Sequence, residues 1–189
     1  MTLAVFGGSF NPPHLAHVMA CAYVLSCSEA DHIVMIPCAR HAFDKPLAPF
    51  PHRVAMCRLA VEGVLERVEV SAMEGERPGV SYMVDTLEEL ARQRPGDRLV
   101  LTMGSDVAGE TRQWKNFDRI RALADIFVIP RLGSATYAEA ARSERFVLPD
   151  LSSEAIRARL AQGDLPREAL PVKVADYIAA HGLYGYPRA

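Results

Sequence analysis

Long hydrophobic runs are missing from this sequence, and with them the main signals of a membrane or secreted protein. No segment reaches the roughly 18 to 20 apolar residues that a membrane span needs, and the start of the chain lacks the basic region and apolar core of a signal peptide. Cysteine is also scarce. The four cysteines are Cys21, Cys27, Cys38 and Cys57, and no two form a C-x-x-C pair. We therefore expect reduced thiols in a cytoplasmic protein, and neither a disulfide framework nor a zinc site.

An excess of charge of one sign is missing as well. The 21 Lys and Arg against 23 Asp and Glu give a formal net charge of -2, which argues against a protein that binds nucleic acid electrostatically. Repeats and low-complexity tracts are absent from the sequence. The length of 189 residues, 50% of them apolar, predicts a single globular domain over 1–189. The sequence leaves open whether the chain forms a homo-oligomer.

What the chain does contain is an alternation of short apolar runs and helical segments. Continuous apolar runs are typical of strands that are buried on both faces of a parallel sheet. The predicted strands are 3–6, 32–37, 68–71, 98–103, 125–130 and 146–149. The predicted helices are 18–25, 51–66, 82–93 with Ser81 as its cap, a helical region from 104 to about 124, a helix that residues 151–157 lead into and that runs to about 162, and 171–181 with a stop at Gly182. This pattern predicts an α/β fold, a Rossmann-like open parallel sheet with helices on both faces and a small C-terminal helical part at about 150–189.

Three predicted loops should meet at one edge of that sheet. They are residues 7–13, 37–50 and 104–106, and each follows a predicted strand. In open parallel sheets, ligands bind beyond the carboxyl ends of the strands, where the strand order reverses. We therefore expect the binding site to be formed by these loops.

The opening loop, residues 7–17, carries the strongest chemical signal. Gly7 and Gly8 allow a phosphate to approach the backbone closely, Ser9 adds a donor, and a helix N-terminus follows. The pattern is neither a Walker A sequence nor G-x-G-x-x-G. A plain glycine turn before a Pro-rich helix start is the alternative interpretation.

Two histidines strengthen the phosphate interpretation of this loop. His14 and His17 are three residues apart, so we expect them on one face of the helix, where both can donate to phosphate oxygens. A zinc site is the other use of an H-x-x-H pattern. It is disfavoured because no acidic or cysteine partner is near in sequence.

A second anion-binding pattern lies near the end of the chain. Ser152 and Ser153 stand at a predicted helix start, and Arg157 follows on the next turn. Hydroxyl groups and a guanidinium at a helix N-terminus can hold phosphate oxygens. A serine cap with a solvated arginine is the alternative.

Together these segments resemble the nucleotidylyltransferase superfamily. Residues 7–17, GGSFNPPHLAH, are similar to the superfamily signature G-G-[ST]-F-[DN]-P-x-H-x-G-H, and residues 151–157, LSSEAIR, are similar to I-S-S-T-x-I-R. Three further segments resemble the bacterial nicotinate-nucleotide adenylyltransferases: 43–56, 70–87 and 104–114. The resemblance therefore favours that branch of the superfamily.

The resemblance implies transfer of AMP from ATP to nicotinate mononucleotide, which gives deamido-NAD and pyrophosphate. It implies Mg²⁺ as the companion of ATP and no metal site of the protein's own. The residues with implied catalytic roles are His17, His14 and Arg157. The residues expected to bind ATP are Gly7, Gly8, Ser9, Phe10, His14, His17, Gly104, Asp106, Ser152, Ser153 and Arg157.

The acceptor-binding residues follow from the same resemblance: Lys45, Tyr82, Met83 and Trp114. Trp114 offers a flat face for a pyridine ring, although a lone Trp is more often part of a core or surface. Tyr82 and Met83 correspond to the place where the family holds the pyridine carboxylate, largely through backbone N–H groups. Lys45 can neutralise phosphate or be an ordinary loop lysine.

The sequence departs from the family pattern at three positions. Ala16 replaces a usual Gly, Met83 replaces a Thr, and Glu154 replaces a Thr. Glu154 either faces the polyphosphate or points to solvent, where it suits a helix N-terminus. Because of Met83 and Glu154, the sequence leaves open nicotinamide mononucleotide or another phosphorylated acceptor. A nucleotide-binding protein without catalysis, and more remotely a metal-dependent hydrolase, are the other classes.

Overall fold

The fold is built on one sheet of five parallel strands. A computed structural model of the chain describes residues 1–42, 45–130 and 148–188. The strand order is β3-β2-β1-β4-β5 and every pairing is parallel. The strands are β1 (Thr2–Gly8), β2 (His32–Pro37), β3 (Val68–Val70), β4 (Arg98–Gly104) and β5 (Ala124–Ile129). The predicted open parallel α/β sheet is confirmed.

Seven α-helices lie in the described part of the chain. They are α1 (Leu15–Cys27), α2 (Phe50–Val61), α3 (Met83–Gln93), α4 (Ser105–Ala108), α5 (Phe117–Leu123), α6 (Ser153–Leu160) and α7 (Val172–His181). Short 3₁₀ turns lie at Met73–Glu76, Thr111–Gln113 and Leu183–Gly185. None of the described helices is long and apolar enough to cross a membrane.

The helices cover both faces of the sheet, as predicted. Side chains alternate along a strand, so neighbours in β1 enter different cores. Ala4 packs in a cluster with Cys21 of α1 and Cys57 of α2. Its neighbour Val5 packs in a second cluster with Leu87 of α3, on the opposite face. Because both faces are covered, the central strands read as continuous apolar runs.

The strand order reverses beside β1. The chain passes from β1 to β2 and β3 on one side, and then returns to place β4 on the other side of β1. The carboxyl ends of β1 and β4 therefore flank the point where ligands bind in open parallel sheets. The opening loop leaves β1 at this point, and α4 follows β4.

The C-terminal helices pack on α2. Met56 and Ala60 of α2 share a buried cluster with Leu160 of α6 and with Val174 and Ile178 of α7. The predicted stop of the last helix at Gly182 is confirmed, since this residue has a φ of 61°, in the left-handed region that glycine tolerates.

Two helix boundaries differ from the prediction. Helix α1 begins at Leu15 and not at 18, so His17 lies in its first turn and His14 is its N-cap with extended backbone. His14 therefore does not lie within the helix as expected, whereas the two side chains do lie on one side of the helix start, with ring centroids 3.8 Å apart. Helix α2 ends at Val61 and not at 66, because the chain turns at Gly63, whose φ is 71°.

One further local prediction was wrong, and another is confirmed only in part. Ser81 does not cap α3: Tyr82 is the N-cap, and the Ser81 hydroxyl instead accepts from the backbone N–H of Ala39 at 3.1 Å. The helical region predicted from 104 to 124 is divided into α4, a 3₁₀ turn and α5, with Asn116 in the left-handed region at φ 55°.

Only residues 148 and 149 of the strand predicted at 146–149 can be compared with the structure, since 146 and 147 lie outside the described residues. Leu148 makes an isolated β-bridge. The irregular stretch predicted at 131–145 also lies outside the described residues.

Candidate active site

A cavity of about 670 Å³ lies at the carboxyl ends of β1 and β4, within the usual size range of small-ligand pockets. Gly8 from the opening loop, His41 from the loop after β2, and Asp106 from α4 all line it. The three loops that the sequence placed at one edge therefore surround one cavity.

Most of the predicted site residues line this cavity. They are Gly7, Gly8, Ser9, Phe10, His14, His17, Lys45, Tyr82, Met83, Gly104, Asp106 and Trp114. Ser152, Ser153 and Arg157 are not among the lining residues. Ser153 and Arg157 bond to the opening loop instead. We call the opening-loop side of the cavity the phosphate side, and the side lined by Tyr82, Met83, Trp114 and Lys115 the acceptor side.

The carbonyl groups of the opening loop are turned into the protein. The carbonyl of Gly8 accepts from the N–H of Cys38, and the carbonyl of Ser9 accepts from Nη1 of Arg53, each at 2.9 Å. In a trans peptide unit the N–H points opposite to the C=O. The N–H groups of Ser9 and Phe10 therefore lie on the other side of the loop from Cys38 and Arg53. This orientation is what a backbone anion site requires.

Helix α6 holds the same loop from the far end of the chain. Nη1 of Arg157 donates to the carbonyl of Asn11 at 2.8 Å, and Oγ of Ser153 donates to the carbonyl of Pro12 at 2.9 Å. Ser152 is the N-cap of α6, and its Oγ accepts from the N–H of Ala155 at 3.1 Å. The structure thus gives these residues roles in the protein itself. Direct contact with ATP stays a prediction.

Glu154 is exposed in the first turn of α6. Of the two alternatives for this residue, the structure supports the solvent-facing one. A carboxylate there interacts favourably with the helix N-terminus.

Arg53 is a site residue that the sequence reasoning missed. Its side chain is 1% exposed and donates to four backbone carbonyls, those of Ala48, Ser9, Cys38 and Ala39 at 2.9, 2.9, 2.7 and 3.3 Å. It therefore joins the opening loop to the loop after β2. One signal was available: Arg53 has helical spacing with the apolar Met56, Cys57 and Ala60, and so lies on the buried face of α2.

Asn11 is a second missed residue in the same region. It is 3% exposed, its Oδ1 accepts from the N–H of Ala48 at 3.0 Å, and its Nδ2 donates to the carbonyl of Pro46 at 3.2 Å. The peptide bond between Asn11 and Pro12 is cis. Both ends of the amide are satisfied, so Asn11 fixes the loop from inside.

The two histidines form a stacked pair beside the cavity. Their ring centroids are 3.8 Å apart, and Nδ1 of His17 accepts from the backbone N–H of His14 at 3.1 Å. Because Nδ1 of His17 accepts, the proton of its neutral imidazole lies on Nε2. The Phe10 ring packs edge-on against His17 at 5.0 Å. Together these contacts fix the orientation of the His17 ring, so that Nε2 can act as a donor.

Gly7 and Gly8 leave space that the side chains of Met83 and Phe10 occupy. A Cβ on Gly8 would lie 3.0 Å from the buried Phe10 ring, and a Cβ on Gly7 would lie 2.3 Å from the methyl group of Met83. Phe10 has a φ of 44°, which places a bulky residue in the left-handed region. Gly8 is therefore required by the packing of Phe10 in addition to any ligand.

The acceptor side is formed by the start of α3 and the turn before α5. Tyr82, Met83 and Trp114 are all partly buried against the core of the α3 face. The Trp114 ring lies edge-on to Phe117 at 6.2 Å. A partly exposed indole on a cavity wall is a suitable surface for a flat aromatic ligand.

Glu74 supports the acceptor side from below. It is 4% exposed and lines the cavity, and one of its carboxylate oxygens accepts from Oγ1 of Thr86 at 2.6 Å. The guanidinium of Arg77 donates to the same Thr86 hydroxyl oxygen at 2.6 Å. This network ties the 3₁₀ turn Met73–Glu76 to α3.

Burial also shifts the pKa values of one histidine and two cysteine thiols. Desolvation lowers the pKa of His41, with Lys45 as the next cause. Burial raises the pKa of the Cys21 thiol to about 12 and also raises that of Cys38. All four cysteines are free, as expected from the sequence.

Within the described residues, no group of three or more His, Cys, Asp or Glu could hold a metal ion. The histidine pair therefore has no third ligand of these types among the described residues. A metal that accompanies a nucleotide needs few protein ligands, because phosphate oxygens and water can supply most of its coordination.

This fold and cavity can now be compared with known proteins. The Cytidylyltransferase-like family matches residues 5–159, and the chain belongs to this family. A narrower group is indicated by relatives that match nearly the whole chain. The probable nicotinate-nucleotide adenylyltransferase of Anaeromyxobacter dehalogenans is 42% identical over 185 residues, 96% of each chain. That of Myxococcus xanthus is 37% identical and covers 98% of this chain and 96% of its own.

Solved structures agree on the fold. The nicotinic acid mononucleotide adenylyltransferase of Plasmodium falciparum, complexed with NaAD, has a TM-score of 0.82 at 18% identity. It covers 100% of this chain and 99% of its own. At that identity the likeness supports the fold, and the relatives above identify the branch. The resemblance to nicotinate-nucleotide adenylyltransferases stated from the sequence is confirmed.

Proposed function

We propose that this chain transfers the adenylyl group of ATP to nicotinate mononucleotide, forming deamido-NAD and pyrophosphate in NAD biosynthesis. The observation that carries the proposal is a cavity lined on one side by the glycine-containing opening loop and the histidine pair, and on the other by aromatic side chains. Relatives that bear this activity in their names match the chain over nearly its full length.

The reaction needs two anions to meet in one place. An oxygen of the 5′-phosphate of nicotinate mononucleotide attacks the α-phosphorus of ATP in line, the bond to the β-phosphate oxygen breaks, and pyrophosphate leaves. No covalent intermediate with the protein is required. Catalysis then depends on positioning and on stabilising the negative charge that develops on the phosphate oxygens.

The phosphate side has the parts for this task. The inward carbonyls of Gly8 and Ser9 turn backbone N–H groups the other way, and the tautomer of His17 places a proton on Nε2. We assign His17 and these N–H groups to the α-phosphate. His14, stacked on His17, is assigned to ATP binding.

Helix α6 is assigned one structural role and one ligand-binding role. Arg157 keeps its bond to the carbonyl of Asn11, and its remaining guanidinium N–H groups and Ser152 are proposed to hold the leaving pyrophosphate. On the other side, Trp114 would stack on the pyridine ring, while Tyr82 and Met83 hold its carboxylate. Asp106 would accept from ribose hydroxyls, and Lys45 would neutralise phosphate.

We propose that ATP enters as its Mg²⁺ complex. The ion is then part of the substrate, held mainly by phosphate oxygens and water, and it lowers the charge repulsion between the two anions. A cytoplasmic location, a single domain over 1–189 and the absence of nucleic-acid partners stay predictions.

Steady-state release of pyrophosphate tests the proposal. The chain is incubated with MgATP and nicotinate mononucleotide, nicotinamide mononucleotide, or no acceptor. We expect release that depends on acceptor and is fastest with nicotinate mononucleotide. Release without any acceptor would indicate a hydrolase. ATP binding without release from any pyridine nucleotide would indicate a binding protein.

A further inference from the structure

We propose that Lys115 is a specificity-determining residue that selects an acceptor bearing a carboxylate over one bearing a neutral amide. The inference rests on the proposed function and concerns its acceptor side. Lys115 follows Trp114 directly and lines the same cavity.

The position of the Lys115 ammonium group is fixed by two contacts. Nζ lies 4.4 Å from the centroid of the Tyr82 ring, and it donates to both carboxylate oxygens of Asp85 at 3.3 Å. Tyr82 is the N-cap of α3 and Asp85 lies in its first turn. The contacts therefore place a positive charge next to the start of α3, although the Lys115 side chain is 49% exposed.

The neighbouring side chains cannot supply that charge. Met83 is a thioether without a strong donor, and its methyl group lies over Gly7. The Ser81 hydroxyl oxygen accepts from the N–H groups of Ala39 and Arg40. Among Ser81, Tyr82, Met83 and Lys115, only Lys115 carries a positive charge, so a carboxylate at the start of α3 would draw on it in addition to backbone N–H groups.

The charges then distinguish the two acceptors. A pyridine carboxylate near Nζ of Lys115 gains a charge–charge attraction that a neutral carboxamide lacks. Asp85 works against this attraction, because its carboxylate pairs with Nζ of Lys115 at 3.3 Å and offsets part of its charge. Lys115 therefore favours the acceptor with the carboxylate, and Asp85 limits how strongly it is preferred over the amide.

The test uses three variants with a matched control. Lys115→Met removes the charge and keeps the length, Lys115→Arg keeps the charge, and Asp85→Asn removes the opposing carboxylate. Arg119→Met is the control, since Arg119 also joins the α5 region to α3, through Glu88 at 2.9 Å, and is not among the lining residues. For each variant, kcat/KM is measured with nicotinate and nicotinamide mononucleotides, together with KM for ATP.

We expect Lys115→Met to lower kcat/KM for the nicotinate acceptor about tenfold and to leave the value for the amide within about twofold. Lys115→Arg should keep the preference within about threefold, and Asp85→Asn should raise it about threefold. Arg119→Met should keep the wild-type preference, and KM for ATP should stay unchanged in all variants. Because the effect is electrostatic at a partly exposed site, the preference of the wild type should shrink as salt is added.

Two results would overturn the inference. An equal loss with both acceptors would make Lys115 a structural residue, and an unchanged preference in Lys115→Met would remove its role altogether. Either result, with an active wild type, leaves the proposed function intact. A wild type that releases no pyrophosphate with either acceptor would overturn the proposed function and this inference with it.

Discussion

The two sides of the cavity are built in different ways. On the phosphate side, the carbonyls of Gly8, Ser9, Asn11 and Pro12 each accept a hydrogen bond from a distant part of the chain. On the acceptor side, Tyr82, Met83 and Trp114 are only partly buried, and Lys115 joins the two segments through an exposed ion pair with Asp85.

This difference shows that the phosphate side is the more rigid side of the cavity. Stabilising the charge that develops during phosphoryl transfer requires donors that are already in position. The opening loop meets this need, since α2 and α6 hold it from two directions. In the proposed function, the choice of acceptor depends on a few partly exposed side chains on the other side of the cavity.

The largest expected effect is the loss of Arg53. Arg53→Met would leave four partly buried carbonyls without this donor, so we expect the free energy of unfolding to fall by about 3 to 5 kcal/mol. Chemical denaturation measures the change. Arg58→Met, on the exposed side of the same helix, should stay within about 0.5 kcal/mol.

Arg53→Lys sharpens this test. A lysine keeps the charge but cannot reproduce the fork of the guanidinium. The stability of Arg53→Lys should therefore lie between those of Arg53→Met and the wild type. If Arg53→Met proved as stable as the wild type, the phosphate side would not be the fixed half of the cavity.

The next effect concerns chemistry and not stability. His17→Ala removes the donor at Nε2, and we expect turnover to fall by about 10²–10³-fold. The pyrophosphate assay measures the rate, and a thermal melt close to that of the wild type shows that the fold survives. Turnover within threefold of the wild type would contradict the assignment of His17.

The two glycines give a smaller and paired prediction. Gly8→Ala would place its methyl group 3.0 Å from the Phe10 ring, a buried and rigid neighbour, so we expect a loss of about 1 to 3 kcal/mol. Gly7→Ala meets the flexible end of Met83, so it should cost less stability and mainly raise KM for the acceptor. The reverse order would refute this interpretation of the two contacts.

Thiol reactivity gives the smallest effect. Burial raises the pKa of Cys21 to about 12, so at pH 8 only about 10⁻⁴ of it is thiolate. Cys27 is exposed and should react first with a thiol reagent. Cys38 lies 3.9 Å from Oγ of Ser9, so bound MgATP should slow its labelling severalfold and leave Cys27 unaffected. Equal labelling of Cys38 with and without MgATP would place the nucleotide elsewhere.

Much of the fold was predictable because its signals are local. The apolar runs of β1, β2 and β4 are buried on both faces, which is the condition that produces such runs. The cavity position followed from chain order, since the loops after parallel strands share an edge. The opening loop was recognisable from its glycines, Ser9 and histidines together with the helix start that follows them.

The remaining details depend on contacts between distant residues. The four partners of Arg53 and the bond from Arg157 to Asn11 join segments far apart in sequence, and no local pattern specifies them. The Ser81 prediction was wrong for the same reason, because its hydroxyl is used by Ala39 in another loop. Helix α1 began early because His14 could act as its N-cap.

Equilibrium binding to two single variants tests the division of the cavity most directly. Calorimetry would measure the affinities of His17→Ala and Trp114→Ala for nicotinate mononucleotide and for MgATP separately. We expect Trp114→Ala to lose about tenfold in acceptor affinity and keep its affinity for MgATP, while His17→Ala keeps its acceptor affinity within about twofold. If both variants lost both ligands together, or if Trp114→Ala lost only MgATP, the two-sided account of the cavity would be wrong.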